Sequence, residues 1–251
     1  MEQETTVTTR KVQNPNAKGN SAFIWAVAAV LAIAALVIGI IVYNGQNKRH
    51  DEVQATMIDA SGIEVQWTEG DPVISLNGEG DTDAKTADLF EDFSCSHCAD
   101  LHEATDAEMI EALKKGDIKV DLRPMVAQDQ GVVGHATKSL AAVLALFNAG
   151  DNDAAFTLRD YLFANQQSVF NNLDADGFAD LAKQYGASDQ AVQDIRDEKF
   201  VETAEKIGEE NGKYQEEETG KAWTPRVLID GKDAEDLGAD RNEWVKTLSD
   251  M

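Results

Sequence analysis

The chain's longest apolar run, Phe23 to Tyr43 (FIWAVAAVLAIAALVIGIIVY), contains no charged residue. As a helix rising about 1.5 Å per residue it is about 30 Å long, enough to cross a bilayer's hydrocarbon core. Trp25 and Tyr43 stand near its ends, where aromatic side chains settle at the membrane interface. A cleaved signal peptide has a shorter apolar core and a shorter leading tail. Residues 21–43 are therefore read as an uncleaved transmembrane signal anchor. Residues 1–20 are polar and rich in Thr, Asn and Gln, and are read as a disordered tail that has no core to form. Residues 44–62 are read as a stalk.

From Ile63 the period shortens. Glu64-Val65-Gln66-Trp67 and Pro72-Val73-Ile74-Ser75-Leu76 alternate as strands do, divided by the turn sequence Glu69-Gly70-Asp71-Pro72. Thr86 to Phe93 reads as a short strand. It runs into a helical stretch carrying Leu101, Ala104, Glu108 and Leu113 and stopped by Gly116. Ile118-Lys119-Val120-Asp121-Leu122 alternates again and closes at Pro124. Strand, helix, strand in this order is a βαβ unit, its crossover helix lying against the sheet.

About residues 133–218 then read as helical throughout. Leu140, Val143, Leu144 and Phe147 recur at i, i+3, i+4 and i+7 ahead of Gly150. Leu158, Tyr161 and Leu162 make a second stripe, and Phe178, Leu181, Ala182 and Tyr185 a third. Ser188 is suited to cap a fourth helix, and Phe200, Ala204 and Ile207 mark a fifth. Strand returns at Arg226 to Asp230. Asp240 and Glu243 have capping-box spacing before a last helix that buries Trp244, Val245 and Leu248. The expected fold class is α/β: a domain over residues 63–251 with a helical subdomain inserted at about 133–218 between two halves of a sheet.

Charge removes one class of function. With 46 acidic against 22 basic residues the formal net charge is −24, so nothing here would neutralise phosphates, and nucleic acid is excluded as a partner. Asn172, Asp174, Asp176, Gly177 and Asp180 mimic the spacing of a calcium-binding loop. The twelfth position, which needs a bidentate Glu, is Lys183, and a turn followed by a helix is the simpler reading. No cofactor or metal is expected.

The chemistry concentrates in the only two cysteines, Cys95 and Cys98, at the junction of strand and helix in Phe93-Ser94-Cys95-Ser96-His97-Cys98. A cysteine at a helix start meets unpaired N–H groups and the positive end of the dipole, and both favour thiolate. The second, one turn on, lies on the same face within disulfide reach. Cys95 is thus expected to be an exposed attacking sulfur and Cys98 a sheltered resolving one. His97 is expected to favour the Cys95 thiolate from above the first turn. Leu89, Glu91 and Phe93 share a strand face, so Glu91 is a candidate acceptor for the Cys98 proton or simply an edge decoration. His102 and His135 are left as structural. The rival to a redox pair is a metal-binding, redox-inert module, because His97 and His102 lie close by. Structural zinc, however, draws on a second ligand pair that is absent here.

Glu91-Asp92-Phe93-Ser94-Cys95-Ser96-His97-Cys98 resembles the active-site segment of the DsbA-like thioredoxin-fold oxidoreductases of bacteria, and the resemblance extends over most of the chain after residue 70. It implies a thioredoxin-like fold with an inserted helical subdomain. It also implies that Thr224 and Pro225 form a cis-proline loop that presents the Thr224 backbone to a substrate strand. Ser96 departs from the proline found in many members, while His before the second cysteine matches the oxidising ones. The expected activity is a protein disulfide oxidoreductase, foremost an oxidase of secreted or cell-surface client proteins with cysteine thiols. A reductase or isomerase of the same fold is the alternative. A DsbB-like or VKOR-like membrane protein is the implied reoxidising partner. Because a dithiol oxidant works only outside the reducing cytosol, the expected location is the cell membrane, single-pass, with the N-terminus cytoplasmic, the anchor in contact with lipid and the catalytic domain extracytoplasmic.

Overall fold

The computed structural model describes residues 57–78, 83–238 and 240–251. The expected tail, the expected anchor and most of the expected stalk lie outside the described residues. Among those described, no helix is long and apolar enough to cross a membrane.

Six strands form one sheet: β1 (Ile63–Gln66), β2 (Ile74–Gly78), β3 (Thr86–Glu91), β4 (Lys119–Pro124), β5 (Arg226–Ile229) and β6 (Lys232–Asp233), in the order β1-β2-β4-β3-β5-β6. Only β3 and β4 run parallel, with Leu89 opposite Leu122. They are joined by α1 (Ser96–Lys115), which makes the expected βαβ unit. β5 pairs antiparallel with β3, Leu89 opposite Val227, so the last part of the chain returns to lie beside the strand that leads to the cysteines.

Alternation along β3 decides what each face holds. Leu89 turns to the main core, shared with Cys98, Leu101, Met109 and Leu113 of α1. Phe90 turns the other way, into a small cluster with Met125, Leu228 and the half-buried Tyr214. The two faces are thus covered by different helices, as a parallel pair requires.

The ends of α1 follow local chemistry. Gly116 takes the left-handed conformation (φ 72°) that a residue without Cβ adopts at no steric cost, and its N–H returns to Leu113 O at 2.9 Å. Lys114 and Lys115 sit in the last turn, where the dipole favours cations. Gly78 closes β2 directly against that helix end. A Cβ there would run into the Leu113 carbonyl and lie 2.7 Å from Gly116 Cα.

The helical stretch is α2 (His135–Ala149), α3 (Asn152–Ala164), the single turn α4 (Gln166–Val169), α5 (Ala175–Gln184), α6 (Asp189–Arg196) and α7 (Val201–Thr219). The short α4 has no periodic signal in the sequence. Ser188 caps α6 through Ala191 N at 3.3 Å, and Asp174 caps α5 through Gly177 N at 2.9 Å. The calcium-like spacing therefore resolves into a cap and two surface ion pairs, Asp176 and Asp180 with Arg196. α8 (Trp244–Ser249) ends the chain with Trp244 fully buried.

One boundary differs from the expected stalk. Ala60 is buried, and the N–H groups of Ile58 and Ala60 donate to Thr157 Oγ1 (2.9 Å) and Asp153 Oδ1 (2.8 Å) of α3. Residues 57–62 therefore pack with the domain, the helix flank taking the backbone donors of Ile58 and Ala60.

Candidate active site

Cys95 occupies the N-cap of α1 with extended backbone (φ −88°, ψ 116°) and makes no side-chain cap of its own. Its sulfur is free to face across the site, where the thiol donates to the Thr224 carbonyl at 3.3 Å. The Thr224–Pro225 peptide is cis. Cys98, one turn along, is buried behind it and accepts the Asp92 N–H at 3.4 Å. Both cysteines are free thiols. The expected contrast between an exposed and a sheltered sulfur is smaller than anticipated. Cys95 is 6% exposed and Cys98 2%, because the Thr224 loop roofs the first sulfur.

The two thiols are pushed in opposite directions. A hydrogen bond from Cys98 is the main cause that brings Cys95 down to about 5. Partial burial opposes it, and the Thr224 side chain and the N–H groups of Cys98 and His97 assist. Burial drives Cys98 strongly upward, and the Cys95 sulfur adds to the rise by competing for the same charge. Such a pair holds one negative charge on the outer sulfur and keeps the inner one as a thiol.

His97 acts on Cys95 through its backbone N–H. Its imidazole is 74% exposed and turned to Asp100 (Nδ1 to Oδ2, 3.3 Å), not folded back over the sulfur. The hydrogen bond from Cys98, assisted by the N–H groups of the helix start, lowers Cys95 in place of the ring. Among the described residues no three His, Cys, Asp or Glu side chains converge as metal ligands. His97 pairs with Asp100 and His102 with Asp160.

Glu91 does point inward, but it is not a free base. Arg159, 2% exposed, grips it with two parallel bonds (Nε to Oε1, 2.8 Å; Nη2 to Oε2, 2.6 Å) and reaches Asp106 of α1 with its remaining nitrogen. Burial alone would lower the guanidinium's pKa, but Asp106 and Glu91 outweigh it and hold Arg159 charged.

Three further residues position the motif and gave no periodic signal. Asp92 is fully buried: one carboxylate oxygen accepts Ser94 N at 2.8 Å, the other Gln128 N at 3.1 Å. Burial pushes its carboxyl up to about 6 against the two N–H donors. Gln166 of α4 donates to the carbonyls of Phe93 (2.8 Å) and Cys95 (3.0 Å), tying the helical subdomain to the motif. Arg226 holds the other side. It pairs bidentately with Asp233 (2.6 and 2.7 Å) and stacks on Trp223, 3.6 Å from the ring centroid, next to Thr224. A thiolate nucleophile, a buried partner thiol and a rigid carbonyl edge beside them are the parts that thiol–disulfide exchange needs.

Comparison with known families matches residues 77–249 to the family described as thioredoxin. Among solved structures, the MdbA protein of Corynebacterium diphtheriae, a thiol-disulfide oxidoreductase, is 34% identical. Its TM-score is 0.72, over 78% of this chain and 98% of that one. The MdbA protein of Corynebacterium matruchotii, also a thiol-disulfide oxidoreductase, is 27% identical with a TM-score of 0.73, over 80% and 98% of the two chains. BdbD of Bacillus subtilis, at 17% identity and a TM-score of 0.52 over 75% and 98%, shares the fold. No curated protein matches the chain.

Proposed function

The chain belongs to the DsbA-like thioredoxin-fold thiol-disulfide oxidoreductases, and on that premise we propose that it is an oxidase, introducing disulfides into secreted proteins. The observation that carries the proposal is the split between the two sulfurs: Cys95 brought down to about 5 and Cys98 pushed up. A stabilised thiolate favours the dithiol form, so the disulfide form is readily given away. In this reading a client thiolate attacks Cys95 Sγ, a client–Cys95 disulfide forms and Cys98 leaves. A second client thiolate then attacks the client sulfur, the client disulfide forms, and Cys95 leaves as thiolate. The client strand lies along the Thr224 edge, adding backbone hydrogen bonds to the short strand end.

The apolar run over residues 21–43 supports a single-pass anchor with the acidic domain outside the cytosol. Client proteins with cysteine thiols are met there, and a DsbB-like or VKOR-like membrane protein returns the pair to its disulfide. The test is oxidative refolding of a reduced secreted protein with catalytic amounts of the chain and oxidised glutathione. Acceleration that is lost in Cys95→Ala supports the oxidase. Acceleration only of disulfide reduction, under the same ratio of chain to client, identifies a reductase.

A further inference from the structure

Behind Cys98 lies a cavity of about 10 Å³ whose lining includes Glu91, Cys98, His102, Thr105, Asp106 and Arg159. That is about the room one water occupies, in a wall that offers it several polar partners. Two buried carboxylates, Glu91 and Asp106, share the single guanidinium of Arg159 there.

The His102 ring, 4% exposed, connects this cluster to solvent. Its Nδ1 lies 3.3 Å from Asp106 Oδ1 but off the line of a hydrogen bond, so this buried nitrogen has no hydrogen-bond partner. Its Nε2 is 3.0 Å from Oδ1 of Asp160, which is half exposed. The same ring therefore borders the cavity behind Cys98 and, with Asp160, the groove of about 940 Å³ that runs beside α1. The charged groups facing it are Asp106 from its own helix and Asp160 and Arg159 from α3. Glu91 of β3 lies beyond Arg159, and the Phe163 ring packs 4.9 Å away.

We propose that His102 is the proton relay of the resolving thiol, passing the Cys98 proton through one water to Asp160 and the groove, and returning it. When a client thiolate attacks Cys95 of the disulfide form, the client–Cys95 bond forms, the Cys95–Cys98 bond breaks, and Cys98 takes the electron pair. The His102 imidazolium then supplies its proton. On the return, neutral imidazole accepts the Cys98 proton and the freed sulfur attacks Cys95 in its mixed disulfide with a disulfide-bearing partner. The Cys95–Cys98 bond re-forms and the partner's thiolate leaves. The relay rests on thiol–disulfide exchange by Cys95 and Cys98 and is indifferent to its net direction.

The test uses the full-length reduced protein mixed with oxidised glutathione, followed by acid quench and mass analysis from pH 5 to 9. It separates uptake of glutathione on Cys95 from its release by Cys98. His102→Gln keeps a hydrogen bond to Asp160 but cannot titrate. It is expected to slow release by about tenfold or more and to flatten its pH profile. Uptake, measured in Cys98→Ala with and without His102→Gln, is expected to stay the same. Asp160→Asn leaves the ring in place and is expected to slow the same step less. It carries the test if His102→Gln does not fold. Release at the wild-type rate and pH profile overturns the relay, as does equal slowing of uptake and release at every pH. Neither result touches the oxidase reading, which oxidative refolding and the reduction potential test separately.

Discussion

Cys95 Sγ lies 3.3 Å from the carbonyl oxygen of Thr224, a residue 129 positions away along the chain. The two halves of the sheet, separated in sequence by the helical insertion, meet at one sulfur. A client cysteine attacking there lies beside the Thr224 edge, while Cys98 stays behind the first turn. Cys98→Ala is expected to accumulate mixed disulfides between Cys95 and client proteins, and Cys95→Ala to abolish both activity and trapping. Non-reducing gels with mass identification of the linked cysteine check this. Trapping that depends on Cys98 instead reverses the assignment.

His97 is adjacent to both sulfurs in sequence, yet its ring is spent on Asp100 in solvent. Because its backbone N–H survives any substitution except proline, His97→Ser is expected to move the Cys95 titration by less than about half a pH unit. Thiolate absorbance against pH measures it. A rise of more than about one unit returns the tuning to the imidazole.

Arg159 is the counter-charge for two buried carboxylates and is itself only 2% exposed. Arg159→Met leaves Glu91 and Asp106 facing each other and is expected to cost about 3 to 5 kcal/mol of stability in urea unfolding. Arg159→Lys keeps the charge without the bidentate fork and is expected to cost less but still measurably. Wild-type stability in either variant contradicts the burial of this triad.

Asp92 gives the domain a pH dependence of defined sign. Its folded value of about 6 is above the usual 3.8, with burial as the chief cause, so the folded state binds the proton more tightly. Its contribution is fully present below about pH 4 and lost as pH rises through about 6. A shift of that size is worth about 3 kcal/mol. In the oxidised protein, where Cys95 does not titrate, urea midpoints from pH 4 to 8 are expected to fall for wild type relative to Asp92→Asn. Parallel curves for the two proteins contradict it.

Much of this arrangement was legible because its signals are local. The alternation of β3, the stop at Gly116, the cap at Ser188 and the cysteine spacing each act within a few residues. The motif's resemblance supplied the fold and the loop at Thr224 and Pro225. What could not be read was carried by side chains whose partners lie far away. Arg159 sits in a stripe with Leu158 and Leu162 and looks like a solvent-facing charge until Glu91 and Asp106 close on it, 68 and 53 positions off. Gln166 stands in a helix too short to show a period. Asp92 left one signal unused. It follows Glu91 at the end of a central strand, where two consecutive carboxylates are buried and each needs a partner inside the fold.

Helix start and buried partner thiol together make this pair a strong oxidant, and its reduction potential is where that shows. Equilibration of the full-length protein with reduced and oxidised glutathione gives the reduction potential of Cys95–Cys98. Thiolate absorbance on the same sample gives the Cys95 titration. With Cys95 near about 5, the potential is expected between about −120 and −180 mV. A potential near thioredoxin's, about −270 mV, with Cys95 titrating near its ordinary value of about 8.5, would contradict it.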